Sequence, residues 1–145
     1  MRLSAKTEYA ALAALALARC SDHETPLSIR AISTAEQVPE RFLVHILLQL
    51  KAAGLVTSVR GAAGGYHLAR PPHDITLDDI HRAIEGSPEC IAPITGALAR
   101  RSPAAAVLDD AWSDAFNAEK TTLRSVTLAD LVDRCHVVCE GMYYI

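Results

Sequence analysis

Leu55-Val56-Thr57-Ser58-Val59-Arg60-Gly61-Ala62-Ala63-Gly64-Gly65-Tyr66-His67-Leu68-Ala69-Arg70 reads as a β-hairpin with a glycine-rich tip. Val56, Thr57 and Val59 favour a strand, and Tyr66 and Leu68 alternate with His67 and Ala69 on the return. Gly61, Gly64 and Gly65 suit a tip that needs positive φ and close approach of a neighbour. Upstream, Phe42, Leu43, Ile46, Leu47, Leu50 and Ala53 recur at helical spacing, and Gly54 follows as a left-handed stop. A helix feeding directly into such a hairpin is the second half of a winged helix-turn-helix. Arg60, at the base of the wing, is then aimed at nucleic acid.

The residues before this helix supply the rest of the motif. Thr7 to Ala18 is an alanine-rich run with Leu12, Leu15 and Leu17, a strong helix former that admits a close neighbour. Arg19 to Pro26 is polar and ends in proline, which predicts a loop. Ser28 is placed to cap a short second helix through about Glu36 that buries Ile29 and Ile32. Pro39 falls in the first turn of the third helix, where a missing N–H is tolerated. Winding that helix leaves Arg41, His45 and Leu48 opposite the apolar stripe, with Glu40 and Val44 near its edge. These positions are the ones a recognition helix offers to a major groove. Arg41 and His45 are the expected base-edge readers, and Glu40 is able to accept from a cytosine amino group.

Charge and composition fit that division. The 145-residue chain carries a net charge of −3. Residues 1–70 hold 8 Lys and Arg against 5 Asp and Glu, whereas residues 71–145 hold 6 against 12. The basic half coincides with the expected DNA-binding half. No apolar run approaches about 18 residues and no charged-then-apolar leader opens the chain, so a cytoplasmic protein without membrane contact is expected.

Downstream, Thr76 is placed to cap a helix through Leu77, Ile80, Ala83 and Ile84, which Gly86-Ser87-Pro88 ends. Pro88, Pro93, Gly96 and Pro103 mark residues 87–103 as a loop. Leu108, Ala111, Trp112, Ala115, Phe116 and Glu119 then follow helical spacing, extended by Leu123. Small residues beside Trp112 and Phe116 suit a two-fold helix–helix contact, with Leu108, Trp112 and Phe116 as its core. The alternative is a stripe that packs on its own domain. A dimer is favoured because one winged helix touches few base pairs and two half-sites multiply selectivity.

The opening Met1-Arg2-Leu3-Ser4-Ala5-Lys6-Thr7-Glu8-Tyr9-Ala10 and the run Gly54 to Gly61 with Gly64-Gly65-Tyr66 resemble the Rrf-two family of bacterial transcriptional regulators. The resemblance is dense over residues 1–86, including Ile75-Thr76-Leu77-Asp78-Asp79-Ile80, and looser beyond. There, Trp112 and Ser125-Val126-Thr127-Leu128-Ala129-Asp130-Leu131 echo the family's long and final helices. It implies a homodimeric DNA-binding regulator, most simply a repressor, on a pseudo-palindromic operator. Arg60 matches the family's wing arginine, and Gly64, Gly65 and Tyr66 shape the wing; Ser28, Pro39 and Gly61 complete the set of residues expected at the DNA. Val44 and His45 replace a Glu-Gln pair found in some members, so the operator sequence does not carry over.

Cluster-binding members of the family place three cysteines in the loop before the long helix. Here the loop has Cys90 alone, with Gly96 and Ser102 roughly where the others would fall, so a three-cysteine iron–sulfur cluster is not expected. Some relatives use an acidic N-terminal residue of the partner subunit as a ligand, which makes Glu8 with Cys90 a candidate pair for an atypical site. Cys135-His136-Val137-Val138-Cys139 is a second candidate, since a helix would set its thiols on one face. Its alternative is a pair of reduced tail thiols. Cys20 reads as a small hydrophobe beside Arg19. The cofactor and the signal stay unassigned.

Catalysis is not expected. The chain has no nucleophile elbow, phosphate loop or zinc-protease motif, and its histidines at positions 23, 45, 67, 73, 81 and 136 lack ligand spacing. The competing function is a winged helix used as a protein-docking module. The expected architecture is mainly α with a small β-hairpin. Residues 1–86 form the winged helix-turn-helix, 87–103 a sensor-type loop, and 104–145 a dimerisation helix with a C-terminal helix.

Overall fold

The computed structural model describes residues 3–20, 25–86 and 100–143. Helix α1 (Ala5–Arg19) begins two residues before the expected Thr7 and is capped by Ser4, whose hydroxyl accepts from the Thr7 N–H at 3.2 Å. Its alanines do what their size predicts. Ala10 and Ala13 are fully buried, bringing α1 close to its neighbours. Helix α2 (Ile29–Glu36) starts at Ser28, whose Oγ accepts from the Ala31 N–H at 3.1 Å. It buries Ile32 completely and Ile29 only in part. The turn into α3 (Glu40–Ala52) passes through Gln37, a non-glycine residue held at φ 55°, ψ 37°. Pro39 is the N-cap of α3 and not, as its type suggested, a residue of its first turn.

Helix α3 threads the core with Leu43, Ile46, Leu47 and Leu50, all at 0% exposure. Phe42 departs from the predicted stripe, standing 40% exposed. Gly54, at φ 74°, turns the chain out of α3. Strands β1 (Val56–Val59) and β2 (Gly65–Leu68) then pair antiparallel, Val56 opposite Leu68 and Val59 opposite Gly65. A 3-10 turn (Pro72–Asp74) leads to α4 (Leu77–Glu85). Further along the chain come the long α5 (Pro103–Ser125), capped by Ser102, and α6 (Leu128–Tyr143).

Helices α4 and α6 start from related sequences that fold alike. In each, a Thr–Asp pair makes reciprocal bonds. The Thr76 N–H reaches Asp79 at 2.9 Å and the Asp79 N–H reaches Thr76 Oγ1 at 3.2 Å, while Thr127 and Asp130 do the same at 2.9 and 3.1 Å. The two segments also pair with each other. The Leu77 N–H donates to the Val126 carbonyl at 3.0 Å and the Leu128 N–H to the Ile75 carbonyl at 2.9 Å, so that Leu128 and Ile75 enter the same core as α1 and α3. Asp78, 4% exposed, accepts from Arg124 Nε at 3.0 Å and fastens the end of α5 to α4.

Glu85, the last residue of α4, opposes its own helix dipole. Its carboxylate instead accepts from the hydroxyls of Ser4 and Thr7 at the N-terminus of α1. Those hydroxyls, Ser4's first, hold its pKa below the ordinary 4.5. A depressed carboxylate stabilises the fold above its unfolded pKa, and that contribution is lost as pH falls through the folded value. Glu85→Gln is therefore expected to lower stability at neutral pH and to flatten its decline as the solution is acidified below about pH 5, as urea melts at a series of falling pH values will register. An acid limb identical to that of the unaltered protein would remove the clasp.

Candidate nucleic-acid interface

Each residue of the expected DNA face acquires its position from a local cause. Leu43, Ile46 and Leu47 lock the inner side of α3 into the core, which fixes its rotation and turns Glu40, Arg41, Val44, His45 and Leu48 outward. Val44 is 41% exposed and Leu48 53%, unusual for apolar side chains unless something else covers them. Arg41 lies with its guanidinium carbon 4.8 Å from the centre of the Phe42 ring. At the far end of the helix, Lys51 Nζ donates to Ser58 Oγ at 2.5 Å and ties α3 to the wing.

The wing is docked as well as paired. Leu27, just before the Ser28 cap, forms a bridge to Tyr66. The Leu27 N–H donates to the Tyr66 carbonyl at 2.9 Å and the Tyr66 N–H to the Leu27 carbonyl at 2.8 Å. This brings Ser28, Gly65 and Tyr66 together. It also separates the roles of the three tip glycines, which the sequence had grouped. Gly61 takes φ 117° in open space. Gly64 and Gly65 have no positive φ and are needed for room, because a Cβ would lie 2.3 Å from the Val59 carbonyl oxygen at Gly64 and 2.3 Å from that of Leu27 at Gly65. Arg60 is exposed at the end of β1. Across the strands, Thr57 Oγ1 lies 3.1 Å from His67 Nε2.

With a recognition helix and a docked wing in place, comparison with known proteins is decisive. Residues 3–134 match Rrf2, described as an iron-dependent transcriptional regulator. The chain belongs to the Rrf2 family. It is 37% identical over 146 residues to the HTH-type transcriptional regulator CymR of Bacillus subtilis, with all of both chains covered. It is 38% identical to a putative HTH-type transcriptional regulator of Mycobacterium tuberculosis, covering 90% of this chain and 81% of that one. The solved structure of CymR, the global cysteine regulator of B. subtilis, superposes with a TM-score of 0.77 at 34% identity, covering 92% of this chain and 98% of that one. IscR of T. potens follows at 0.73 and 32%, covering 93% and 88%. This Rrf2 protein is a DNA-binding transcriptional regulator and not an enzyme, which sets aside the docking-module alternative.

Rrf2 proteins carry iron in their description, so the donor set here matters. Cys90 and Gly96 lie outside the described residues. Ser102, at another expected cysteine position, uses its Oγ to accept the Ala105 N–H at 3.1 Å as the cap of α5. Glu8 is exposed on α1. Cys135 and Cys139 fall one turn apart on α6 as expected, with His136 exposed between them. Among the described residues, no three His, Cys, Asp or Glu side chains converge as a metal site. Residues 87–103 hold one cysteine, Cys90, which does not fit a cluster held by three cysteines of that segment.

Two contributors gave no sequence signal for their role. Leu27, which bridges to the wing, falls between the expected loop and the Ser28 cap with no role of its own, and Tyr9 reads as one more position on the alanine helix. No helix among the described residues is long and apolar enough to cross a membrane.

Proposed function

We propose that this Rrf2 protein is a cytoplasmic homodimeric repressor that places α3 of each subunit in successive major grooves of a pseudo-palindromic operator. In this reading residues 1–86 bind DNA, 87–103 form the sensor-type loop, and 104–145 carry dimerisation. The observation that carries it is a pair of surfaces left bare in one chain. On α5, Val107, Leu108, Trp112 and Phe116 are 56–70% exposed. Beside α1, a groove of about 490 Å³ is lined by Leu3, Leu12, Leu15, Leu77, Ile80 and Leu123 among others. Contiguous exposed apolar surface of this kind marks an interface, and a second copy covers both with one two-fold operation.

Arg41 and His45 read base edges, Glu40 accepts from a cytosine, Val44 and Leu48 pack on thymine methyls, and Ser28 and Arg60 hold phosphate. Capture of genomic fragments by the purified protein tests the whole reading. Enrichment of a two-fold-related sequence upstream of genes is expected, and retention of DNA without sequence preference would overturn it. Arg60→Ala tests the wing separately. Weaker binding to every duplex and a salt dependence shallower by about one ion are expected. An unchanged slope with intact helicity would take Arg60 out of the interface.

A further inference from the structure

We propose that Tyr9 and Phe42 form an aromatic platform that presets the Arg41 guanidinium for base reading, making Tyr9 of α1 a positioning residue for DNA recognition. The inference rests on the assignment of Arg41 as a base reader. The Phe42 ring is 40% exposed, outside the core stripe of its own helix. Its centre lies 5.7 Å from that of Tyr9, tilted by 41°. The Arg41 guanidinium carbon stands 4.8 Å from the centre of the same Phe42 ring. The three groups thus form a continuous stack of contacts that links α1 to the recognition helix.

Each part of the stack has a physical function. An arginine side chain is long and rotamer-rich, and fixing it on binding opposes affinity. Resting the planar guanidinium on a ring restricts it beforehand, and arginine is the cation best suited to that contact. A ring on an exposed helix face is itself free to turn unless something backs it. Tyr9 supplies the backing from a rigid position, since its neighbours Ala10 and Ala13 are at 0% exposure. Beside the rings, an open cleft of about 480 Å³ is lined by Ala5, Lys6, Tyr9, Phe42 and His45. Arg41 is the single arginine of α3. The orientation of that one fork therefore carries much of the discrimination available to this helix.

The probe is a duplex selected by the unaltered dimer from a random-sequence pool, together with its single base-pair substitutions. Arg41→Ala identifies the base pair that Arg41 reads, as the one whose substitution ceases to matter. At that pair, Tyr9→Leu is expected to reduce discrimination by about three- to ten-fold, and Tyr9→Phe, which keeps the ring, to restore it. In the Arg41→Ala background Tyr9→Leu should add nothing, the signature of coupling in a double-mutant cycle. Phe42→Leu, at a half-exposed position, gives the same readout if Tyr9→Leu fails to fold, which a melting curve reveals. If Arg41→Ala leaves every substitution penalty intact, the base-reader assignment fails and the platform with it. If Arg41→Ala relaxes one position while the ring variants do not, or act equally without Arg41, the assignment stands and the platform is overturned.

Discussion

Phe116→Glu is expected to give a folded monomer with most of its operator affinity gone. In one chain Phe116 is 60% exposed and touches Trp112 with ring centres 6.3 Å apart, so a carboxylate there meets water and leaves the subunit's own core alone. In the proposed dimer the same position lies in an apolar contact, where an unpaired charge costs several kcal/mol, roughly 3 or more. Losing the second subunit removes the second half-site and with it the gain of linked binding, on the order of 10²- to 10⁴-fold. Sedimentation at low protein concentration and duplex titration measure the two parts. A Phe116→Glu protein that still sediments as a dimer would move the interface away from this stripe.

The second large effect is expected at Gly65. Alanine there places its Cβ 2.3 Å from the Leu27 carbonyl oxygen and 2.9 Å from the Ser28 nitrogen. Both are backbone atoms, so no rotamer change relieves the overlap. Separation of β2 from Leu27 removes two backbone hydrogen bonds at about 1 kcal/mol each, on top of about 1–3 kcal/mol of overpacking. Thermal melts should show a loss of about 3–5 kcal/mol, a fall in Tm on the order of 10 °C. Gly61→Ala is the control. It meets no atom within 4 Å, and its only penalty is the backbone strain at φ 117°. Equal melting of Gly65→Ala and the unaltered protein would mean that the wing does not dock on Leu27.

The contrast between those glycines shows which features the sequence makes legible. Ser28, Gly54 and Thr76 were each assignable from a few neighbouring residues, because capping and helix termination are local events. The hairpin, with its β-branched strands and glycine tip, was equally local. Phe42 was placed in the core because it sits 100° from Leu43 on the helical wheel, inside a stripe of ordinary width. What turns it outward is α1, whose alanines fill the core and whose Tyr9 meets it 33 positions away in sequence. Gly65 was recognised as necessary, but the reason lies at Leu27. The Glu85 bonds to Ser4 and Thr7 likewise join opposite ends of the winged-helix segment, and no periodicity announces a pairing at that range. The DNA-facing residues were legible as a set because they are what remains once the core stripe is drawn.

The paired starts of α4 and α6 have an evolutionary consequence. Everything between Thr76 and Thr127, including α4 and the long helix, is an excursion whose two ends are held side by side by backbone hydrogen bonds. Backbone bonds do not depend on side-chain identity, and the entropy of closing an excursion grows only by about 0.6 kcal/mol for each doubling of its length. Insertions, deletions and wholesale changes of ligand chemistry inside the excursion therefore leave its anchorage to the winged helix almost untouched. Such a joint lets descendants of one ancestor exchange the signal they respond to while keeping the apparatus that finds DNA. In this chain the excursion carries a single cysteine, Cys90, on an anchorage that would hold a segment with three just as well.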